Sequence, residues 1–184
     1  MHASVLKSGL YLIIPWLVAT ATDILIGGVL VDRLITQGND PTKVRKVLFT
    51  IGMLLGVAAI GATFTTNVNV AITWLTISLG GLAFAAPIAW SIPSLIAPKG
   101  TVGSVGGIMN FLGNFAGIVA PIVAGIVADR IGFAPNFLIT GAILIVGLCC
   151  FLILLGKIEQ IQTPETGIIT ETPEYVGANR NRVS

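Results

Sequence analysis

Long apolar stretches, separated by short polar segments, dominate this chain. Four stretches carry almost no charge: residues 9–31, in which Asp23 is the one charged side chain, and residues 47–98, 100–128 and 131–156, in which there is none. A helix that crosses a bilayer needs about 20 apolar residues. The 52 residues of the second stretch are enough for two such helices, divided by the polar tract at residues 65–69. The pattern therefore predicts an all-α bundle of five transmembrane helices.

The composition is typical of a protein that folds in lipid. Of 184 residues, 54% are hydrophobic and 10% are charged, whereas soluble domains carry about 25% charged residues. The formal net charge of +2 is small, and the chain has no basic stripe with interleaved aromatic side chains. We therefore expect the lipid bilayer as a partner and expect no nucleic-acid partner.

Few side chains in this sequence are suited to covalent or metal chemistry. The one histidine, His2, lies at the N-terminus, and the two cysteines, Cys149 and Cys150, are adjacent in an apolar stretch. Catalytic triads, histidine-ligated zinc and haem all need an imidazole held within the fold. Neighbouring cysteines are better suited to packing than to a strained disulfide. We therefore expect no enzymatic activity, no catalytic residue, no metal site and no cofactor.

The charged residues near the ends of the predicted helices are divided unequally between the two sides of the membrane. Alternation of the five helices places six cations on one side: Arg33, Lys43, Arg45, Lys46, Lys99 and Lys157. Lys7 and Arg130 fall on the other side. Because cytoplasmic loops carry an excess of Lys and Arg, this predicts a cell-membrane protein with its N-terminus outside and its C-terminus in the cytoplasm. Residues 162–184 lack apolar periodicity and are expected to form a disordered cytoplasmic tail.

Asp23 is the only ionisable residue well inside a predicted span. A carboxylate near the middle of the membrane costs about 2.5–3.5 kcal/mol on insertion scales, so it should face a wet cavity, a partner or another helix. Trp16, Thr20, Asp23 and Gly27 follow one another at spacings of four, three and four residues, which places them on one face of an α-helix. The pattern is consistent with a role in a cavity or gate, in proton coupling, or in a structural pair.

The fourth predicted helix is rich in glycine and carries two asparagines. It contains two GxxxG pairs, Gly103/Gly107 and Gly113/Gly117. Such pairs allow helices to approach closely, so tight packing of this helix is expected. Asn110 and Asn114 lie one turn apart on one face. Their amides are suited either to hydrogen bonds between helices or to binding a polar substrate.

Several segments resemble one transporter family. The first helix ends in the turn Gly28-x-x-x-Asp32-Arg33 before a basic run, and Trp90 closes the third helix, where an aromatic-belt anchor is the simple interpretation. The resemblance rests on residues 27–46, 80–87 (GGLAFAAP), 97–100 (APKG) and 106–114 (GGIMNFLGN). Over residues 4–161 the chain resembles the C-terminal half of a major facilitator superfamily transporter, and most closely the anion:cation symporter branch.

The resemblance implies that residues 1–161 form five helices equivalent to helices 8–12 of the twelve-helix major facilitator fold. The candidate substrate-binding residues are Asn110, Asn114, Trp90, Trp16 and Asp23. The two asparagines fall on the family's helix 11, which lines the substrate cavity. Asp32 and Arg33 fall on the loop between helices 8 and 9, where we expect them to form a cytoplasmic gate contact.

The function implied by the resemblance is secondary transport of a small organic anion, such as a sugar acid, by cation (proton) symport with alternating access. The first seven helices of that fold have no counterpart in this sequence. The implied partners are therefore a missing N-terminal half-bundle and the organic anion itself. The alternative is a truncated, non-transporting membrane protein that acts as an interaction subunit, which needs no substrate site.

Overall fold

The computed structural model describes residues 5–161, and the regular structure within that range is helical throughout. The helices are α1 (Val5–Thr22), α2 (Val31–Thr36), α3 (Pro41–Val57), α4 (Val68–Ile96), α5 (Val102–Ile131) and α6 (Phe133–Leu154). A π-helical segment, Asp23–Leu30, joins α1 to α2, and a 3-10 segment, Ala58–Phe64, extends α3. The prediction of an all-α fold is confirmed for the described residues.

Five helical stretches are long and apolar enough to cross a membrane, which confirms the predicted number. They are Ile13–Thr36, Pro41–Phe64, Val68–Ile96, Val102–Ile131 and Phe133–Leu154. The first continues beyond its predicted end at residue 31, because the charged pair Asp32 and Arg33 is accommodated within α2 and does not end the helix. His2 and the predicted tail, residues 162–184, lie outside the described residues.

The middle of the bundle is formed by α4. It contacts α1, α3 and α5 as well as the π-helical and 3-10 segments, whereas α6 packs against α3 and α5. The side chains of Phe84, Ala85 and Ile88 on α4 are only 2–3% exposed. Phe49 of α3 stacks on Phe151 of α6 with ring centroids 3.9 Å apart. Apolar packing therefore holds α1 and α6 to a central α3–α4 pair.

Glycines of α3 and α4 allow a close approach between these two helices. A Cβ atom at Gly52 would lie 2.6 Å from the Gly81 carbonyl oxygen, and one at Gly81 would lie 2.8 Å from the Gly52 carbonyl oxygen. One turn along α3, the Gly56 carbonyl oxygen accepts a 2.6 Å hydrogen bond from the buried Ser78 hydroxyl. Gly52 and Gly56 thus form the GxxxG pair that brings two helix backbones together.

The glycine-rich helix α5 packs loosely at the edge of the bundle, and the expectation of tight packing there is wrong. None of its residues is buried. No neighbouring heavy atom lies within 4 Å of a Cβ atom placed at Gly103, Gly106, Gly107, Gly113, Gly117 or Gly125. The expectation fails because no described helix lies against that face of α5, so its small residues have nothing to approach.

We call the end of the bundle that contains residues 32–46, 97–101 and 155–161 the basic end. There, residues 155–161 form a strap that runs from α6 across the ends of α3 and α4. Four hydrogen bonds hold the strap: Lys46 Nζ to the Leu155 carbonyl, Ile158 N–H to Thr42 Oγ1 (3.2 Å), Gln160 Nε2 to the Ala97 carbonyl (3.2 Å) and Ile161 N–H to the Ile96 carbonyl (3.0 Å). The strap therefore connects three helices at this end.

Candidate functional site

Two cavities lie between α1 and α4. The first, of about 230 Å³, is lined by Tyr11, Pro15, Trp16, Ile72, Leu75, Ser78 and Leu79. The second, of about 390 Å³, is lined by Tyr11, Ile14, Asn69, Ile72, Thr73, Thr76 and Ile77. The predicted site residue Trp16, which is 63% exposed, thus borders a cavity. The other four predicted substrate-binding residues do not line either of these two cavities.

Hydroxyl and amide groups of α4 border the second cavity, although these positions were not predicted from the sequence. The Thr73 hydroxyl donates to the Asn69 carbonyl (3.0 Å), and the Thr76 hydroxyl donates to the Ile72 carbonyl (2.7 Å). Because each hydroxyl already donates its proton to a backbone carbonyl, its oxygen can only accept a hydrogen bond from a ligand. The available signal was the spacing of Asn69, Thr73 and Thr76, which places three polar side chains on one helix face within an apolar span.

Asp23 begins the π-helical segment, and its side chain is exposed near the middle of the first span. π-Helical turns are rare in proteins, and those that occur are often found at functional sites. Of the four residues predicted to share one face, Trp16, Thr20 and Asp23 are exposed, whereas Gly27 is buried against α4. A Cβ atom at Gly27 would lie 2.5 Å from Pro87 Cγ. The Gly27 end of the predicted face therefore packs against α4.

Thr22 connects the start of the π-helical segment to α4. Its hydroxyl oxygen lies 2.9 Å from the Gly80 carbonyl oxygen and 3.0 Å from those of Val18 and Ala19. Gly80 permits this approach, because a Cβ atom there would meet Val18 at 3.3 Å. Thr22 was also missed by the sequence analysis, although a polar residue next to an intramembrane acid was the available signal. It holds Asp23 at a defined position relative to α4.

Asn110 and Asn114 bond to each other on α5. The Asn114 Nδ2 group lies 2.8 Å from both the carbonyl oxygen and the side-chain oxygen of Asn110. Both side chains are exposed, and no residue in the described part of the chain covers them. No acceptor among residues 5–161 bonds the Asn110 Nδ2 group, so its two N–H donors are open to a ligand.

The predicted substrate-binding residues lie on separate helices that α4 connects. Trp90 lies on α4 and is 50% exposed. Within the described range α4 contacts both α1 and α5, whereas α1 and α5 do not contact each other. Trp16 and Asp23 on the first span and the asparagine pair on α5 are therefore not brought into contact. They lie on the two helices that flank α4.

Asp32 and Arg33, the predicted gate residues, lie exposed on α2 at the basic end. The Arg33 carbonyl accepts hydrogen bonds from the Thr36 hydroxyl (2.9 Å) and the Gln37 N–H (3.1 Å), which satisfy the end of the helix. In the part of the chain that the structure covers, neither side chain takes part in an ion pair. The gate contact therefore stays a prediction.

Asp40 sets the local electrostatics where α3 begins. Its carboxylate accepts hydrogen bonds from the backbone N–H groups of Thr42 (2.8 Å) and Lys43 (3.3 Å). These two bonds, and then the charges of Lys43 and Lys157, hold the pKa of the Asp40 carboxyl below its ordinary value of 3.8. The ion pair with Glu159 raises the pKa of Lys157 above its ordinary value. Both groups therefore stay charged at neutral pH.

The cysteines are not core residues, contrary to the packing interpretation. Cys149 and Cys150 are free thiols on the exposed surface of α6, because the face of α6 that packs against α3 carries their neighbours Leu148 and Phe151 instead. Among residues 5–161, no group of three or more His, Cys, Asp or Glu side chains is arranged to hold a metal ion.

Comparison with known proteins gives a consistent set of relatives. An uncharacterized transporter of Bacillus subtilis is 36% identical over 159 residues, which are 85% of this chain and 37% of the relative. The D-galactonate transporter of Escherichia coli (strain CFT073) is 30% identical over 85% of this chain and 36% of its own length. A protein of Escherichia coli K12 named as a probable galactarate/D-glucarate transporter is 34% identical over 86% of this chain and 36% of its own length. The chain thus spans little more than a third of these relatives.

A family model agrees with the relatives. The model described as the Major Facilitator Superfamily matches residues 1–174 of this chain, and the five membrane-spanning helices are in keeping with that match. The relatives named above are membrane transporters and not enzymes. The chain belongs to the major facilitator superfamily.

Proposed function

We propose that this chain is part of a secondary transporter that moves a small organic anion, such as a sugar acid, together with a proton. The observation that carries the proposal is the similarity to two Escherichia coli proteins named as D-galactonate and galactarate/D-glucarate transporters, each matched over at least 85% of this chain. The substrate class that their names share is a polyhydroxylated carboxylate. Such a substrate needs hydrogen-bond donors for its carboxylate and both donors and acceptors for its hydroxyls.

The Asn110–Asn114 pair is the proposed centre of the substrate site. Asn114 donates to Asn110 and orients its side-chain oxygen, which leaves the Asn110 N–H groups for substrate hydroxyls or carboxylate. Trp90 and Trp16 supply exposed aromatic surfaces on the two other helices. Asp23 lies at mid-span as the proton-accepting or gating carboxylate, and Thr22 holds its helix against α4.

Alternating access requires a second group of helices that moves against this one. We propose that such helices, corresponding to the missing N-terminal half-bundle, cover the open face of α5. Two observations support this. The relatives are nearly three times as long as the matched segment, and α5 has no buried residue among those described. Asp32 and Arg33 would then form the gate between the two groups at the basic end, since charged residues at helix ends make strong, reversible contacts.

We further propose that the protein lies in the cell membrane with its basic end in the cytoplasm and its N-terminus outside. The support is the excess of cations at that end. Single cysteines replacing Asn67 and Asn39 test it in the background C149S/C150S, which removes the two exposed native thiols. A membrane-impermeant thiol reagent should label the Asn67 position in intact cells, and the Asn39 position only after the cells are opened. Labelling of both positions in intact cells would contradict the orientation.

Binding selectivity tests the proposed substrate class. In a fusion protein that we call the galactonate chimera, residues 1–161 replace the matching segment of the Escherichia coli D-galactonate transporter. Purified chimera should bind galactonate or galactarate at least tenfold more tightly than galactose, which has similar hydroxyls but no carboxylate. A folded chimera that binds no sugar acid, beside a parent transporter that does, would contradict the proposal and favour a non-transporting interaction subunit.

A further inference from the structure

A shallow groove of about 240 Å³ lies between α3 and α6 near the basic end. Its lining residues are Lys46, Val47, Thr50 and Ile51 on α3 and Leu152 on α6. The apolar members are well exposed, with Val47 57% and Ile51 44% exposed. None of its five lining residues belongs to α4 or α5, and none is a proposed substrate-binding residue. It is therefore separate from the proposed substrate site.

The groove has a cation at one end and apolar side chains beyond it. Lys43 and Lys46 lie one turn apart on the face of α3 that continues into Val47 and Ile51. The Lys46 ammonium donates to the Leu155 carbonyl of the strap, which fixes the charge at the mouth of the groove and leaves two of its three donors. This order of charge and then hydrocarbon along the membrane normal matches a phospholipid.

The charge around the groove favours an anion. Lys43, Arg45 and Lys46 lie within one turn of α3. Of the nearby carboxylates, Glu159 pairs with Lys157, and Asp40 lies at the start of α3, where its charge acts on Lys43 and Lys157 and it forms no ion pair with Lys46. Within residues 5–161, no ion pair neutralises Lys46. A headgroup phosphate would supply the missing negative charge.

We propose that this groove binds one anionic phospholipid, with its phosphate at Lys46 and Lys43 and an acyl chain along Val47, Ile51 and Leu152. Basic pockets between transmembrane helices recognise anionic headgroups in this way. This lipid site is independent of the proposed substrate site, because the two sites have no residue in common.

Lipid titration of the full chain tests the proposal. The purified chain, in a neutral detergent, is titrated with phosphatidylglycerol or phosphatidylcholine, and the bound lipid is counted by native mass spectrometry. One phosphatidylglycerol should bind more tightly than phosphatidylcholine. Lys46→Gln should weaken its binding about fivefold, as expected for one cation near the membrane surface. Lys99→Gln is the matched control, because it removes the same charge from an exposed position at the same end, outside the groove.

A second variant separates lipid binding from the anchoring of the strap. Lys43→Gln removes a cation from the same face without removing a partner of Leu155, and it should weaken phosphatidylglycerol binding about two- to threefold. Equal effects of Lys46→Gln, Lys43→Gln and Lys99→Gln would overturn the proposal, because they would indicate diffuse charge attraction. Equal binding of the two lipids, or displacement by millimolar inorganic phosphate, would also overturn it. If Lys46→Gln does not fold, the contrast between Lys43→Gln and Lys99→Gln decides.

Discussion

Polar groups within the membrane-spanning helices fall into two classes. Some are satisfied within the protein: the Thr73 hydroxyl bonds within its own helix, and the Thr22 and Ser78 hydroxyls reach carbonyls of a neighbouring helix. Asp23 and the Nδ2 group of Asn110 are exposed and lack such partners among the described residues. Because lipid offers no hydrogen bonds, we expect a ligand, water or a further helix at the positions of the second class.

The first prediction at this scale concerns the two asparagines. In the galactonate chimera, Asn110→Ala should weaken substrate binding about tenfold or more, because a hydrogen bond to a charged ligand contributes about 1.5–3 kcal/mol. Asn114→Ala should act less strongly, since Asn114 orients Asn110. Calorimetry or competition uptake measures the affinity, with the protein level in the membrane as control. Unchanged affinity at reduced protein level would mean that the pair joins helices and does not contact substrate.

The second prediction concerns Asp40 and pH. Its folded-state pKa lies below 3.8, so the unfolded chain binds more protons in acid and the contribution to stability is complete above that value. The contribution is lost as the pH falls through the folded-state pKa. Between pH 5 and pH 3 the thermal unfolding midpoint should therefore fall further in the wild-type chain than in Asp40→Asn, which keeps the cap but does not titrate. An equal decrease of the unfolding midpoint in the two proteins would show that the charge of Asp40 does not contribute to stability.

At the scale of elements, the five spans were predictable from the sequence because charge is excluded from the hydrocarbon over known lengths. The π-helical segment was not, since nothing in the composition of Asp23–Leu30 distinguishes it from an α-helical turn. The contact between Gly52 and Gly81 was not predicted. Both helices carry other glycines, and a GxxxG pair in a sequence does not identify the helix that packs against it. For the site, the pairing of Asn110 with Asn114 follows from their spacing, whereas the contact of Thr22 with Gly80 depends on tertiary packing.

The packing of glycines gives the prediction at this scale. In the isolated chain, Gly81→Ala should destabilise the bundle by about 1–3 kcal/mol, because the new methyl group meets the Gly52 backbone and Leu55. Gly113→Ala on α5 is the matched control and should be neutral or slightly stabilising, since alanine favours helix and no atom lies nearby. Thermal unfolding in one detergent compares the two. Equal destabilisation would contradict the assignment of the α3–α4 contact.

At the scale of the whole molecule, packing within the described bundle is uneven. The α3–α4 pair is closely packed, whereas α5 presents its glycines and asparagines outward. The relatives that the chain matches are nearly three times its matched length. We therefore expect the proposed substrate site on α5 to be completed by further helices that lie opposite it.

The proposed packing of further helices against the exposed face of α5 gives another prediction. Gly113→Leu should leave the isolated chain as stable as the wild type, because its side chain enters open space. In the galactonate chimera the same change should lower transport or protein level severalfold, since a further helix would then lie against that face. Lys99→Gln serves as a neutral change in both backgrounds. An unaffected chimera would mean that the face is open to lipid in the complete transporter.

Uptake driven by a proton gradient is the measurement that tests the proposed transport most directly. Proteoliposomes containing the galactonate chimera should accumulate labelled galactonate when the outside is acidified, and a protonophore should abolish the accumulation. Liposomes with the parent transporter and liposomes without protein give the upper and lower limits. We expect accumulation well above the protein-free level. Uptake by a folded chimera that does not exceed the protein-free level would contradict organic-anion transport. Uptake that is independent of the proton gradient would contradict proton coupling.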